Sequence, residues 1–156
     1  MSSHHWFELK IPPVIVFIAA LFAVWLSDKM FPMSGLLSGM NVYIALVFII
    51  LGLFSGVAGL VSFKLAKTTV NPLKLDKASA LVDSGMYRFS RNPMYLGMLF
   101  IILGLIVRLE QPYSLVWAVL FIAFMTKFQI LPEERALSLI FGESYSHYKR
   151  RVRRWL

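Results

Sequence analysis

Residues 81–97 read Leu81-Val82-Asp83-Ser84-Gly85-Met86-Tyr87-Arg88-Phe89-Ser90-Arg91-Asn92-Pro93-Met94-Tyr95-Leu96-Gly97, the one long polar interruption in an otherwise apolar chain. Gly85 can take the positive φ of a turn after Ser84. Pro93 pushes Asn92 out of the helical region and itself suits a first helical position, so a helix is predicted to start at about Pro93. Its first N–H groups and its positive dipole end would then lie beside Arg88 and Arg91, a combination that favours a bound anion. Taken alone, either arginine reads equally as a lipid head-group contact. Arg91 is the stronger candidate because Asn92, Tyr95 and Gly97 accompany it. Tyr95 also reads as an interfacial aromatic, and Gly97, one turn into the helix, would let a flat ring or another backbone come close.

The flanking sequence has the composition of a membrane protein. Of 156 residues, 58% are hydrophobic and 15% charged, well outside soluble usage. Uncharged or nearly uncharged runs at 11–27, 41–63, 93–108 and 113–131 predict an all-α fold, an integral membrane helical bundle of about four transmembrane helices. The third run is short for a full span. A single domain over 1–156 is expected, with a loop at 64–92 and a tail at 132–156. Pro12 and Pro13 suit the first turn of the first span, while Pro32, Gly35 and Gly39 mark a short connection. Gly52, Gly56 and Gly59 form a small-residue stripe for close helix contact. Lys127, near the end of the last span, is expected to snorkel. Pro132 is expected to begin a new helix at the surface and Gly142 to stop it. Beyond it, Tyr145, Tyr148 and Val152 recur at spacings of three and four, which predicts an amphipathic surface helix anchored in the membrane and capped by Trp155.

Charge orients the bundle. Sixteen Lys and Arg against eight Asp and Glu give +8. With four spans, Lys10, six cations of the 64–92 loop and six of the tail share one side, leaving Lys29 and Arg108 on the other. The positive-inside rule therefore makes the loop, the tail and both termini cytoplasmic, in what reads as a prokaryotic inner membrane. The same rule accounts for the basic balance without nucleic acid. There is no cysteine, which excludes disulfides, thiolate metal sites and cysteine nucleophiles. His4 and His5 read as solvated, so no metal site is expected. Glu8 and Lys10 precede the first apolar run without a cleavage pattern after it, unlike a signal peptide.

A second polar constellation follows the last span: Pro132-Glu133-Glu134-Arg135. Two acids in a first helical turn suit the helix dipole by about 0.3–1 kcal/mol. Successive helical residues point about 100° apart, so one glutamate is expected to face a ligand and the other to hold an arginine.

The 81–97 run, followed about forty residues later by Glu133-Glu134 and then by Phe141-Gly142-Glu143-Ser144-Tyr145-Ser146-His147-Tyr148-Lys149, resembles the isoprenylcysteine carboxyl methyltransferase family and its phospholipid methyltransferase relatives. The resemblance covers about the last eighty residues. It implies a membrane enzyme that binds S-adenosylmethionine at the cytoplasmic face and methylates a lipophilic substrate drawn sideways from the bilayer. Carried over by position, Tyr87, Arg91, Asn92, Tyr95, Gly97, Glu133 and Glu134 are the implied cofactor-binding residues, with Arg91 and Glu134 catalytic. Asn92 stands where eukaryotic members often have histidine, which removes a group able to titrate near neutrality. The additional amino-terminal helices of those members have no counterpart here, so a prenylated protein is not the expected acceptor.

S-adenosylmethionine offers a carboxylate for Arg91, an ammonium for a glutamate and an adenine for an aromatic wall. A carboxylate acceptor needs positioning and exclusion of water; an amine or thiol must also lose a proton, for which Glu134 is the expected base. Two other readings stand beside this one. A sterol-reductase-like enzyme using NADPH shares an Arg-His-x-x-Tyr-x-Gly type motif, though Asn92 and the glutamate pair argue against it. A non-enzymatic scaffold would use the same loop only to dock on anionic lipid, and either kind of protein could form homo-oligomers through the glycine stripe.

Overall fold

The computed structural model describes residues 9–33, 35–37, 39–66 and 81–156. His4, His5, Glu8, Lys67, Lys74 and Lys77 lie outside the described residues. Among the described residues five α-helices follow in order: α1 (Pro13–Met30), α2 (Asn41–Leu65), α3 (Pro93–Arg108), α4 (Leu115–Met125) and α5 (Leu131–Arg151). α1, α2 and the helical run from Pro112 to Arg151 are long and apolar enough to cross a membrane, and α3 is a shorter apolar helix. The fold is an all-α membrane helical bundle.

α2 and α3 meet along glycines. A Cβ on Gly97 would lie 2.5 Å from the Gly52 carbonyl oxygen and 3.0 Å from the Gly56 nitrogen. One on Gly59 would lie 3.0 Å from Met94 Cγ, and one on Gly104 3.2 Å from the Ala45 carbonyl oxygen. Without side chains at these positions the two backbones approach closely, as helices in lipid do. Ser55 Oγ fastens the seam by donating to the Pro93 carbonyl at 2.7 Å. On its other side, α3 contributes Leu96, Leu99 and Ile102 to a core shared with Val24 of α1 and with Phe121 and Met125 of α4.

Pro132 does not begin a separate surface helix. A π-helical turn over Thr126–Ile130 carries α4 directly into α5. Proline cannot donate to the carbonyl four residues earlier, and here the Leu9 N–H takes that place, donating to the Phe128 carbonyl at 3.0 Å. The inserted turn and the borrowed donor let the helix continue.

The tail also departs from expectation. Gly142 adopts φ 51° and ψ −118°, breaking α5, so the helical stop expected there is present. Beyond the break, Tyr145, Tyr148 and Val152 are buried against Val82 and Tyr87 instead of facing lipid. The spacing of three and four does make an apolar face; the sharp turn at Gly142 aims that face back onto the protein.

Candidate functional site

The segment before α3 is shaped by its own sequence. Gly85 has φ +57°, and a Cβ there would lie 2.7 Å from Ser62 Oγ, so glycine lets the turn sit against α2. A 3₁₀ turn over Gly85–Arg88 then buries Tyr87, whose ring stands edge-on to Phe63 at 5.3 Å and whose carbonyl accepts the Tyr148 hydroxyl at 2.8 Å. Arg88, by contrast, is exposed. Asn92, the residue before proline, lies outside the helical region, with φ −134° and ψ 56°.

Residues 90–92 clasp the end of the chain. The Arg91 N–H donates to the Arg153 carbonyl at 3.0 Å. Asn92 Nδ2 donates to the Arg154 carbonyl at 2.9 Å, and Ser90 Oγ reaches the same oxygen at 3.4 Å. Those backbone contacts set the Arg154 side chain over α5. Its Nε and Nη2 each donate to the Glu134 carboxylate at 2.9 Å, a two-pronged pair of the strong, geometrically specific kind. The same hydrogen bonds raise the Arg154 pKa.

Arg91 completes the cluster. Its Nη2 lies 3.1 Å from Glu134 Oε1, with both side chains largely buried at 10% and 12% exposure. Arg91 Nε and Nη1 are buried and have no hydrogen-bond partner among the described residues. A buried cationic donor without an acceptor is costly, so these two N–H groups mark where an anion would be accommodated.

Glu133 points elsewhere. Its Oε1 accepts the Tyr95 hydroxyl at 2.6 Å. Burial pushes its carboxyl pKa up to about 7, the Tyr95 hydrogen bond opposes the rise, and the neighbouring Glu134 charge adds to it. Glu133 follows the apolar run of residues 113–131 in the sequence. Burial likewise raises the Tyr87, Tyr145 and Tyr148 hydroxyls above the usual range, keeping them neutral hydrogen-bonding groups.

Tyr87, Arg91, Asn92, Tyr95, Glu133 and Glu134 are thus gathered at one end of the bundle, around the start of α3 and of α5. Asn92 spends its amide N–H on the tail. Gly97 lies on the α2 seam, where the α2 backbone fills the space beside it. Two participants carried no signal that singled them out. Arg154 sits in a basic run that reads as head-group contact, and its partner Glu134 is twenty residues away across the Gly142 break. Tyr145, only 2% exposed, feels the charges of Glu134, Arg91, Glu133 and Arg154 together; the tail motif contained it, but its apolar spacing pointed to the bilayer.

The phospholipid methyltransferase family model matches residues 40–144. An uncharacterized protein of Haemophilus influenzae is 40% identical over 63 residues, which is 40% of this chain and all of that protein. The protein-S-isoprenylcysteine O-methyltransferase of Saccharomyces cerevisiae is 37% identical over 82 residues, 51% of this chain and 33% of the yeast protein. No solved structure matches.

Proposed function

Because the chain belongs to the phospholipid methyltransferase family, we propose that this membrane methyltransferase takes its methyl group from S-adenosylmethionine at the Arg91–Glu133–Glu134 cluster and passes it to a lipophilic acceptor from the bilayer. The observation that carries the reading is Arg91: a buried guanidinium, held at Nη2 by Glu134 and without a partner among the described residues at Nε and Nη1. The carboxylate of the methionine moiety is an acceptor of matching charge. When bound, S-adenosylmethionine supplies an electrophilic methyl group on a sulfonium.

The chain's own residues divide the remaining work. Glu134, held by Arg91 and Arg154, fixes the orientation of the anion-binding guanidinium. With Glu134 engaged by two arginines, we assign proton acceptance to Glu133, whose carboxyl has a pKa of about 7 and is aimed by Tyr95. An amine or thiol acceptor would deliver its proton there; a carboxylate acceptor would need none. Tyr87 and Tyr145 supply aromatic surface at the same end, and Asn92 keeps the tail in place. The excess of basic residues on this side favours a cytoplasmic placement of the site and of both termini, in a prokaryotic inner membrane. No observation favours the reductase or the scaffold.

Transfer of labelled methyl groups tests the proposal. Purified protein incubated with methyl-labelled S-adenosylmethionine and a bacterial lipid extract should yield an organic-soluble labelled product. Arg91→Ala, checked for intact folding, should reduce it to background; undiminished labelling would refute the site assignment.

A further inference from the structure

A cavity with a volume of about 410 Å³ lies between α1 and α4, lined by other residues than this cluster. Beside Val16, its α1 wall is made of the small Ala19, Ala20 and Ala23, and its α4 wall mostly of large residues, among them Trp117, Phe121 and Phe124. The size mismatch leaves a trough that neither helix fills. From Trp117 to Phe128 the α4 side runs ~16 Å at 1.5 Å per residue, about the depth of one leaflet of a bilayer core ~30 Å thick. One end is bounded by a hydrogen bond from Trp117 Nε1 to Ser27 Oγ at 3.0 Å. At the other end stands Lys127, exposed, with Nζ 5.3 Å from the Phe128 ring centroid and no acidic partner among the described residues.

We propose that this trough is a binding site for one anionic phospholipid, with an acyl chain lying between α1 and α4 and its phosphate on Lys127. The shape takes a single extended hydrocarbon chain. The charge at the rim decides the head group, because a lysine at the membrane surface attracts anionic lipid by about 1 kcal/mol and no carboxylate among the described residues pairs with it. Phe121, at 2% exposure, belongs to the bundle core, and Arg91, Tyr95, Glu133 and Glu134 are not among the residues that line the trough. The site is therefore distinct from the methyl-transfer cluster and does not depend on how that cluster works. The π turn has a role in it: Lys127 falls within Thr126–Ile130, where the wider helical turn sets the rim residues relative to the aromatic wall below.

Native mass spectrometry of detergent-purified protein titrated with phosphatidylglycerol or phosphatidylcholine, in the absence of any methyl donor, tests the inference. Wild-type protein should retain one phosphatidylglycerol at about fivefold lower lipid concentration than phosphatidylcholine. Lys127→Gln should erase that preference while still retaining lipid. Ala19→Phe, at an exposed position of the trough, should remove the retained lipid of both kinds. Equal retention of the two lipids by wild-type protein, or an unchanged preference in Lys127→Gln, would overturn the proposal even if Ala19→Phe failed to fold.

Discussion

Glu133 and Glu134 are neighbours in the chain, yet the helical rotation sends one to Tyr95 and the other to Arg91 and Arg154. That division was legible from sequence, since adjacent helical positions cannot face one pocket equally; which glutamate went where was not, because it depends on the rotation of α5 about its axis. Burial of Glu133 also couples stability to pH. A carboxyl whose pKa is about 7 in the folded protein against an ordinary 4.5 takes up a proton on folding between those values. Its burial penalty is thus full above pH 7 and fades as the pH falls towards 4.5. Glu133→Gln, which keeps an acceptor for Tyr95, should stabilise the protein by about 1–3 kcal/mol at pH 8, with the gain shrinking towards pH 4.5. Thermal unfolding in detergent across that range checks it. A gain independent of pH would show that the carboxyl does not titrate as described.

Among the elements, α3 does the most to position the site, because its first residue follows Asn92 and its glycines set its depth against α2. Its start at Pro93 and end at Arg108 were readable from the proline, the apolar run and the arginine. The partner of Gly97 was not readable, since a glycine accommodates a ring or a backbone equally well. Gly97→Ala should lower stability by about 1–3 kcal/mol, as its Cβ would lie 2.5 Å from a carbonyl oxygen. Gly56→Ala, whose Cβ would meet nothing within 4 Å, should be neutral or stabilising by up to about 1 kcal/mol. Equal losses in the two variants would contradict the seam. The passage from α4 to α5 shows another limit of sequence reading. Pro132 ordinarily announces a break, and only the distant Leu9 N–H explains why there is none.

Over the whole molecule, composition and apolar runs were enough to foresee a membrane helical bundle, because the bilayer dictates both length and hydrophobicity. Its closure was hidden. Tyr145, Tyr148 and Val152 looked like bilayer anchors, and the positive φ at Gly142 turns them into core residues while bringing Arg154 to Glu134. The tail is also tied by Trp155 Nε1 to Thr126 Oγ1 at 3.2 Å. Removing residues 152–156 should therefore leave the spans assembled but abolish binding of the methyl donor, with α-helical circular dichroism retained. Full binding by the shortened chain would show that the clasp is not part of the site.

The proposed chemistry stands or falls on Arg91 holding the carboxylate of S-adenosylmethionine, and calorimetric titration of purified protein with S-adenosylhomocysteine probes that contact without turnover. Wild-type protein should bind saturably, and Arg91→Ala, with its fold verified, should bind about a hundredfold more weakly, as loss of a buried charge-assisted pair entails. Wild-type protein that fails to bind, or an Arg91→Ala variant that binds as tightly as wild type, would rule out this role for Arg91.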